Sequence, residues 1–271
     1  MENENIKKEE KPIKNEEKKV EEKKEVKLKK EKEQGTFKLE IYGHDIQQYI
    51  KNLGKFLDEA ILKINDKGLR IISSDRAMVC VCDLRLPKTE FKEFQINDNT
   101  DGFNLGISMT FLSTLLSKIN STDSKPKVVT FEYDKKGRFW IKFDNSQFLI
   151  PILDITDELP PIEELTFKTK IKVDADELQR IVDYAGLVSD SLVIKTDGTV
   201  LMEAIGDINS MVSKLDKPIL KGENSKARYP IDYLSKLKFV GEKITIDYAN
   251  SYPMRLRDKF FTFILAPRVS E

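Results

Sequence analysis

Side chains able to do chemistry are sparse in this 271-residue sequence and form no known catalytic pattern. His44 is the only histidine, and it stands at a predicted helix start, where it suits a capping role. Cys80 and Cys82 lie two apart on a predicted strand, without the second pair that a zinc site needs. Asp154 and Asp157 could serve as acid and base or bind Mg²⁺, but 46 acidic residues produce such pairs by chance.

Motifs typical of cofactor binding, metal binding or nucleophilic catalysis do not occur either. The sequence contains no phosphate-binding loop, dinucleotide fingerprint, HExxH motif or nucleophile elbow. We therefore predict a protein that is not an enzyme and has no cofactor and no metal site. A hydrolase or transferase on a duplicated scaffold is the remote alternative.

The elements that would position any site occur twice along the chain. Residues 37–154 read as strand, helix, three strands, helix, three strands, and residues 167–267 repeat that order. Both copies contain an Asp and a Gly between alternating apolar residues, at 65–69 and 196–200, which predicts tight hairpins. An internal repeat of this length predicts two similar α+β domains, each with antiparallel strands and two helices.

The four predicted helices share one pattern, an apolar stripe opposite a polar side. They span about 44–58, 108–119, 174–189 and 230–240. Gln47 and Asn52 fall on the polar side of the first helix, and we expect all four polar sides to be free of large apolar residues. These sides carry the basic residues Lys51, Lys55, Lys118, Arg180, Lys236 and Lys238.

Composition separates the first 35 residues from the rest. They contain 12 Lys, 11 Glu and no aromatic residue, which predicts a mobile tail or a solvated, partly helical rod. The remaining body is nearly neutral, so any affinity for nucleic acid must come from where its charges sit. The sequence has no long apolar run and a charged start, so we predict a soluble intracellular protein that does not contact membranes.

The segment 154–166 differs from its surroundings. It contains two prolines and five acids, together with Leu159 and Ile162, which predicts an extended linker lying over a sheet. It is either a tether whose apolar residues pack down or one wall of a groove.

From residue 37 to residue 271 the sequence resembles the DNA sliding clamp family, of the proliferating cell nuclear antigen type, and is closest to archaeal clamps. The resemblance is carried by the acidic connector, by 187–191, by Tyr252-Pro253-Met254 and by the ending 263–271. It implies the DNA clamp fold, with a tail at 1–35, domains at 36–153 and 167–271 and a connector at 154–166. It further implies a pseudo-sixfold ring of three chains, with helices lining the central hole.

The same resemblance implies the function and partners of a polymerase processivity factor. Such a ring encircles duplex DNA through its backbone and tethers DNA polymerase, clamp loader, flap endonuclease and DNA ligase by short peptide motifs. It would be associated with the nucleoid in an archaeal cytoplasm, or nuclear in a eukaryote. Gln47, Gln48, Thr114 and Ser117 stand where many members are basic, which keeps open a subunit of a heterotrimeric or checkpoint-type clamp.

Residue roles carried over from the family fall into three sets. The outward cations above would face DNA. Edge strands at 138–144 and 208–215 would join subunits through Phe139, Ile141, Phe143, Met211 and Leu215. The partner groove would consist of Met78, Val79, Leu159, Ile162, Pro253, Ile264, Leu265, Ala266 and Pro267.

Overall fold

A computed structural model describes residues 35–97, 102–119, 126–156 and 159–268. The predicted tail, apart from its last residue, lies outside the described residues. We call 35–153 the first half and 167–268 the second half. The helices are α1 (Gly43–Leu53), α2 (Met109–Ser117), α3 (Ala175–Gly186) and α4 (Ile231–Leu234).

Strands β1 to β9 belong to the first half and β10 to β18 to the second. The first nine are Thr36–Tyr42, Glu59–Asn65, Gly68–Ser74, Cys80–Pro87, Glu93–Asn97, Phe103–Ser108, Val128–Tyr133, Phe139–Phe143 and Ser146–Ile150. The other nine are Thr169–Asp174, Ser191–Thr196, Val200–Ile205, Ser210–Lys214, Ile219–Gly222, Lys226–Pro230, Lys243–Tyr248, Met254–Arg257 and Phe261–Leu265.

The predicted repeat is confirmed in the sheet topology, but each copy has five strands between its two helices, β2–β6 and β11–β15, and not the predicted three. The order β5-β1-β7-β8-β9 in the first half returns as β14-β10-β16-β17-β18 in the second. Likewise β4-β3-β2-β6 returns as β13-β12-β11-β15. Both predicted hairpins, β2–β3 and β11–β12, are present. Each strand of the first half therefore has a counterpart in the second half, nine strands further along the chain.

The two halves are joined by one strand pair. β18 pairs antiparallel with β4, from Phe261 opposite Leu84 to Leu265 opposite Cys80, and this makes a continuous nine-stranded sheet. The buried faces of all four helices and of strands from all three sheets form one apolar cluster. The pairing leaves β9, the counterpart of β18, and β13, the counterpart of β4, as free edges.

The prediction that residues 138–144 form an edge strand is wrong. β8, which covers most of 138–144, lies between β7 and β9, and its side chains Phe139, Ile141 and Phe143 are buried in the core. The reason is the turn at Asp144 and Asn145, whose φ angles of 49° and 60° reverse the chain and add β9 outside β8. The second segment predicted as an edge strand, 208–215, contains β13, which is an edge of its sheet. Leu215, just beyond β13, is buried, although it was predicted to contact another subunit.

Gln47 and Asn52 do not lie on an exposed face of α1, contrary to the sequence prediction. The Gln47 amide donates to the carbonyls of Leu116 and Ile119, at 2.8 and 3.2 Å, and so holds the end of α2. Asn52 is 1% exposed, donates to the Lys238 carbonyl at 2.7 Å and accepts from the Lys238 N–H at 3.1 Å. The two amides satisfy backbone groups in the last turn of α2 and beyond the C-terminal ends of α2 and α4.

The fourth helix is shorter than predicted. α4 ends at Leu234, after which the Leu237 N–H bonds three residues back and the Lys238 N–H turns to Asn52. Lys236 and Lys238 therefore follow the helix instead of lying on it. Within the described residues, no helix combines the length and the apolar character needed to cross a bilayer.

We expect Asn52→Ala to lower the free energy of unfolding by about 1–3 kcal/mol, because it leaves two backbone groups of Lys238 without partners. Urea denaturation measures this decrease. The matched control is Asn104→Ala, an exposed asparagine on β6, for which we expect a change below about 0.5 kcal/mol. Equal decreases in the two variants would contradict a joining role for Asn52.

Candidate functional site

Four of the six predicted outward cations meet where the halves join. The Lys55 ammonium donates to the Lys236 carbonyl. Three residues before Lys55, the Asn52 amide donates to the Lys238 carbonyl. Burial lowers the pKa of Lys55, and the charges of Lys238 and Lys51 lower it further. Positive charge from both halves is thus concentrated at one place, which favours an anion there. We call these four lysines, Lys51, Lys55, Lys236 and Lys238, the junction cluster.

The other two predicted cations lie outside the junction cluster. Lys118 follows the last turn of α2, close to the carbonyls that Gln47 holds. Arg180 is exposed on α3, with Asp176 and Asp183 on neighbouring turns of the same helix. These carboxylates offset its charge. Among the six predicted cations, positive charge is therefore most concentrated at the junction between the halves.

The expectation of helix faces free of large apolar residues is also wrong. Phe111 on α2, Tyr184 on α3 and Leu187 after α3 are exposed, Leu187 by 80%. The repeat explains them: because α3 starts at Ala175 as α1 starts at Gly43, Tyr184 and Leu187 correspond to Asn52 and Lys55. By the same reasoning from the starts of α2 and α4, Phe111 corresponds to Tyr233, which stacks on Phe56 across the junction. These residues thus occupy junction positions on a surface that a single chain leaves uncovered.

The connector lies on the outer face of the nine-stranded sheet. Its side chains Leu159, Ile162 and Leu165 pack against an apolar group that the structure brings together on three different strands. That group consists of Ile72, Val81 and Ile264, and we call the six residues together the apolar platform. The predicted groove residues Leu159, Ile162 and Ile264 therefore share one surface.

A turn beside the platform presents two more of the predicted groove residues. Met78 is exposed at a φ of 54°, and the Asp75 carboxylate fixes this turn by accepting the N–H groups of Val79 and Cys80 at 2.8 and 2.9 Å. Asp75 also accepts the Tyr233 hydroxyl at 2.8 Å, which ties the turn to the other half.

The C-terminal segment contributes unequally to this surface. The Ala266 N–H donates to the Val79 carbonyl, and Pro267 is half-buried, as is Pro253 beside β17. Leu265, however, is 0% exposed and lies in the core, so its predicted groove role is wrong. Side chains alternate along β18, and this alternation turns Ile264 towards the connector and Leu265 inward.

Sequence reasoning missed a charged cleft between the connector and the sheet. The cleft has a volume of about 1020 Å³ and is lined by arginines from both halves together with Asp83. Arg70 and Arg85 bond to Asp83, and Arg255 and Arg257 bond to Asp247 on the same face of the sheet. The i, i+2 spacing of Arg255 and Arg257 was the available signal, since it places both on one face of a strand.

Among the described residues, no group of three or more His, Cys, Asp or Glu side chains is arranged to hold a metal ion. Cys80 and Cys82 are buried in the core.

Comparisons with known proteins agree with this geometry. A family model described as "Repair protein Rad1/Rec1/Rad17" matches residues 41–214. The DNA polymerase sliding clamp of Pyrococcus furiosus is 28% identical over 245 residues, which are 84% of this chain and 96% of that protein. The DNA polymerase sliding clamp of Archaeoglobus fulgidus is 27% identical over 230 residues, 79% of this chain and 90% of that protein.

Solved structures show the same fold at lower identity. One, titled "C-terminal region of FEN-1 bound to A. fulgidus PCNA", has a TM-score of 0.79 at 22% identity and covers 87% of this chain and 99% of the other. A PCNA2-PCNA3 complex from Sulfolobus tokodaii has a TM-score of 0.75 at 21% identity and covers 85% and 99%. With the strand repeat and the family match over more than half its length, the chain belongs to the Rad1/Rec1/Rad17 repair protein family and is a PCNA-like DNA sliding clamp.

Proposed function

We propose that three copies of this chain close into a ring around duplex DNA and that the ring tethers replication and repair proteins to it. The observation that carries this proposal is the pair of free edges, because β9 and β13 are the counterparts of the two strands that already join the halves. The protein acts by binding and not by catalysis. Its proposed domains are 36–153 and 167–271, joined by the connector 154–166.

Ring closure repeats between chains the pairing found within one. When β9 of one chain takes the place of β18 and β13 of the next takes the place of β4, Phe148 comes opposite Met211 and Gln147 opposite Val212. Phe148 and Met211 are both partly buried against the core, so the paired residues lie on matching faces. A heterologous contact of this kind forms a closed ring when the rotation from each subunit to the next returns the last subunit to the first.

Exposed apolar residues collect at these same two edges. The β9 side presents Leu149, Ile152 and Phe111, and the β13 side presents Tyr184, Leu187, Ile205, Ile208 and Val212. Ile208 is 99% exposed in the single chain. Burying such residues against a second copy stabilises the assembly, since contiguous exposed apolar surface marks an interaction site.

The junction cluster supports contact with the phosphate backbone. Its lysines are point charges that attract phosphates without reading bases, which suits a ring that slides. A closed ring is retained because it cannot leave the duplex sideways. A tethered enzyme is then held near its template at a high effective concentration.

The apolar platform and the Met78 turn support a client site. Together they form a shallow apolar surface bordered by the C-terminal segment, suited to a helical turn with aromatic anchors followed by an extended strand. The similar clamp bound to the C-terminal region of FEN-1 favours flap endonuclease as a client. DNA polymerase, DNA ligase and the clamp loader are the other proposed partners, and the archaeal relatives favour a nucleoid location.

A second candidate is a subunit of a ring made of unlike chains, of the heterotrimeric or checkpoint type. It is favoured by the repair-protein description of the matching family and by the complex of two unlike subunits among the similar structures. The two candidates differ in whether this chain closes a ring on its own.

Light scattering on the purified chain decides between them. We expect a mass about three times the 31.3 kDa of one chain, and expect Val212→Asp to reduce it to that of a monomer by placing a charge in the strand junction. The matched control is Ile219→Asp, a similarly exposed apolar residue on the edge strand β14, which should leave the trimer intact. A wild-type monomer that requires other chains to form a ring would support the second candidate.

Replacing cations of the junction cluster should weaken retention on DNA. We expect Lys51→Gln/Lys236→Gln/Lys238→Gln to lower the salt slope of retention on circular duplex by about 0.9 for each phosphate that is no longer neutralised. Lys55 is left in place because it joins the halves. The control replaces Lys88, Lys135 and Lys136, which are exposed outside the four α-helices, with Gln. Equal retention by the two triple variants would mean that the junction cluster does not face DNA.

The client site is tested with Met78→Ala/Ile162→Ala, which spares the buried Leu265. We expect at least about tenfold weaker binding of a fluorescent peptide carrying two aromatic anchors on one helical turn, because the site loses apolar surface at both positions. Ile219→Ala serves as the control. Unchanged peptide affinity in an intact trimer would refute the assignment.

A further inference from the structure

The outer face of the nine-stranded sheet carries positive charge next to the apolar platform. Strand register fixes this arrangement: Arg255 lies opposite Ile264, and Ile264 lies opposite Val81. One row further, Arg257 lies opposite Thr262, which lies opposite Asp83. Paired residues share a face of the sheet, so the arginines and the platform lie on the same side of the sheet, beneath the connector.

Asp83 is buried and shared by two arginines. Arg70 makes two bonds to it, at 2.9 and 3.0 Å, and Arg85 makes two more, at 2.9 and 2.6 Å. Burial alone raises the pKa of the Asp83 carboxyl, but the hydrogen bonds from Arg70 and Arg85 outweigh it and hold the pKa below its ordinary value. The carboxylate is therefore charged at neutral pH and balances only one of its two partners.

Asp247 holds a second, larger group of cations. It is 1% exposed and accepts from Arg255 at 3.1 Å and from Arg257 at 2.7 Å, with the Lys170 ammonium 3.9 Å away. A single carboxylate thus faces three positive charges. The Nε–H of Arg257 is buried without a hydrogen-bond partner within the described structure. Among the described residues, cations therefore outnumber carboxylates around both Asp83 and Asp247, while Asp258 also lines the cleft.

The described glutamates of the connector that line the cleft do not pair with these cations. Glu163 and Glu164 are exposed, and in the part of the chain that the structure describes neither forms an ion pair with these cations. The sheet beneath offers no backbone pairing, because β3, β4, β17 and β18 each have a strand on both sides. A ligand of this cleft therefore cannot pair with the sheet backbone, and the charged side chains of the sheet are available to recognise it.

We propose that the cleft between the connector and the sheet binds an acidic segment of a client protein, adjacent to the part that occupies the apolar platform. The proposal rests on the client-tethering function above. Guanidinium forks match carboxylates in shape and charge, which favours aspartate and glutamate side chains. A peptide held on the platform would present such residues at a high effective concentration.

A peptide fits this space better than a nucleic acid strand. The roof contributes Leu159, Pro160 and Ile162, which offer apolar contact to a peptide, together with Glu163 and Glu164, which repel a phosphodiester backbone. Isolated carboxylates can be spaced to avoid these glutamates, whereas a nucleic acid carries a charge at every nucleotide.

The test variant removes surplus charge and keeps the buried carboxylates paired. Arg85→Gln/Lys170→Gln leaves Arg70 on Asp83 and leaves Arg255 and Arg257 on Asp247, so the sheet is expected to stay folded. Lys135→Gln/Lys136→Gln makes the same charge change on the exposed β7–β8 turn and is the matched control. The probes are a fluorescein-labelled peptide whose glutamates are separated by Gly-Ser spacers and a labelled oligothymidylate of equal charge.

Fluorescence anisotropy should show the spaced-glutamate peptide binding to the wild-type full chain, at least about tenfold weaker binding to the cleft variant, and no change in the control. Equal binding by all three proteins, or no binding, would overturn the proposal. Tighter binding of oligothymidylate through the same two residues would replace it with a nucleic acid site. Mass and DNA retention of the same samples separate this failure from a failure of the clamp function.

Discussion

The pairing of β18 with β4 is the interaction on which the rest of the molecule depends. It makes one sheet out of two halves, so the connector has a continuous floor to lie on and Ile264 can meet Ile72 and Val81. The same pairing brings Lys55 to Lys236 on the helical side of the junction. Both candidate surfaces, the cationic one and the apolar one, are consequences of this single antiparallel contact between strands distant in sequence.

Local patterns in the sequence predicted what short-range chemistry determines. The two hairpins follow from Asp and Gly at tight turns, and the apolar stripe of α1 follows from its 3.6-residue period. The platform was predicted in part, because Leu159 and Ile162 stand out in an acidic, proline-containing segment. The repeat itself was predicted as well, but not the full order of the elements, since each copy has five strands between its two helices and not the three expected.

What the sequence did not reveal depends on contacts between distant residues. Asn52 looks like a surface residue of an amphipathic helix, and only the approach of Lys238 from the other half buries it. The edge at β9 depends on two left-handed residues, Asp144 and Asn145, which a strand pattern does not indicate. The cation surplus of the cleft arises only when strands from both halves place their arginines side by side.

The junction within the chain and the proposed junction between chains differ in chemistry. Within the chain, Asn52 and the Asp75–Tyr233 pair form hydrogen bonds across the junction. At the corresponding positions between chains stand Tyr184 and Phe111, which cannot reproduce those bonds. In a ring of such chains, junctions within a chain, stabilised by hydrogen bonds, would alternate with junctions between chains, stabilised by apolar contact. A mechanical force would therefore open the ring at an interface between chains. The two separated surfaces could bind again without having to restore an exact hydrogen-bond geometry.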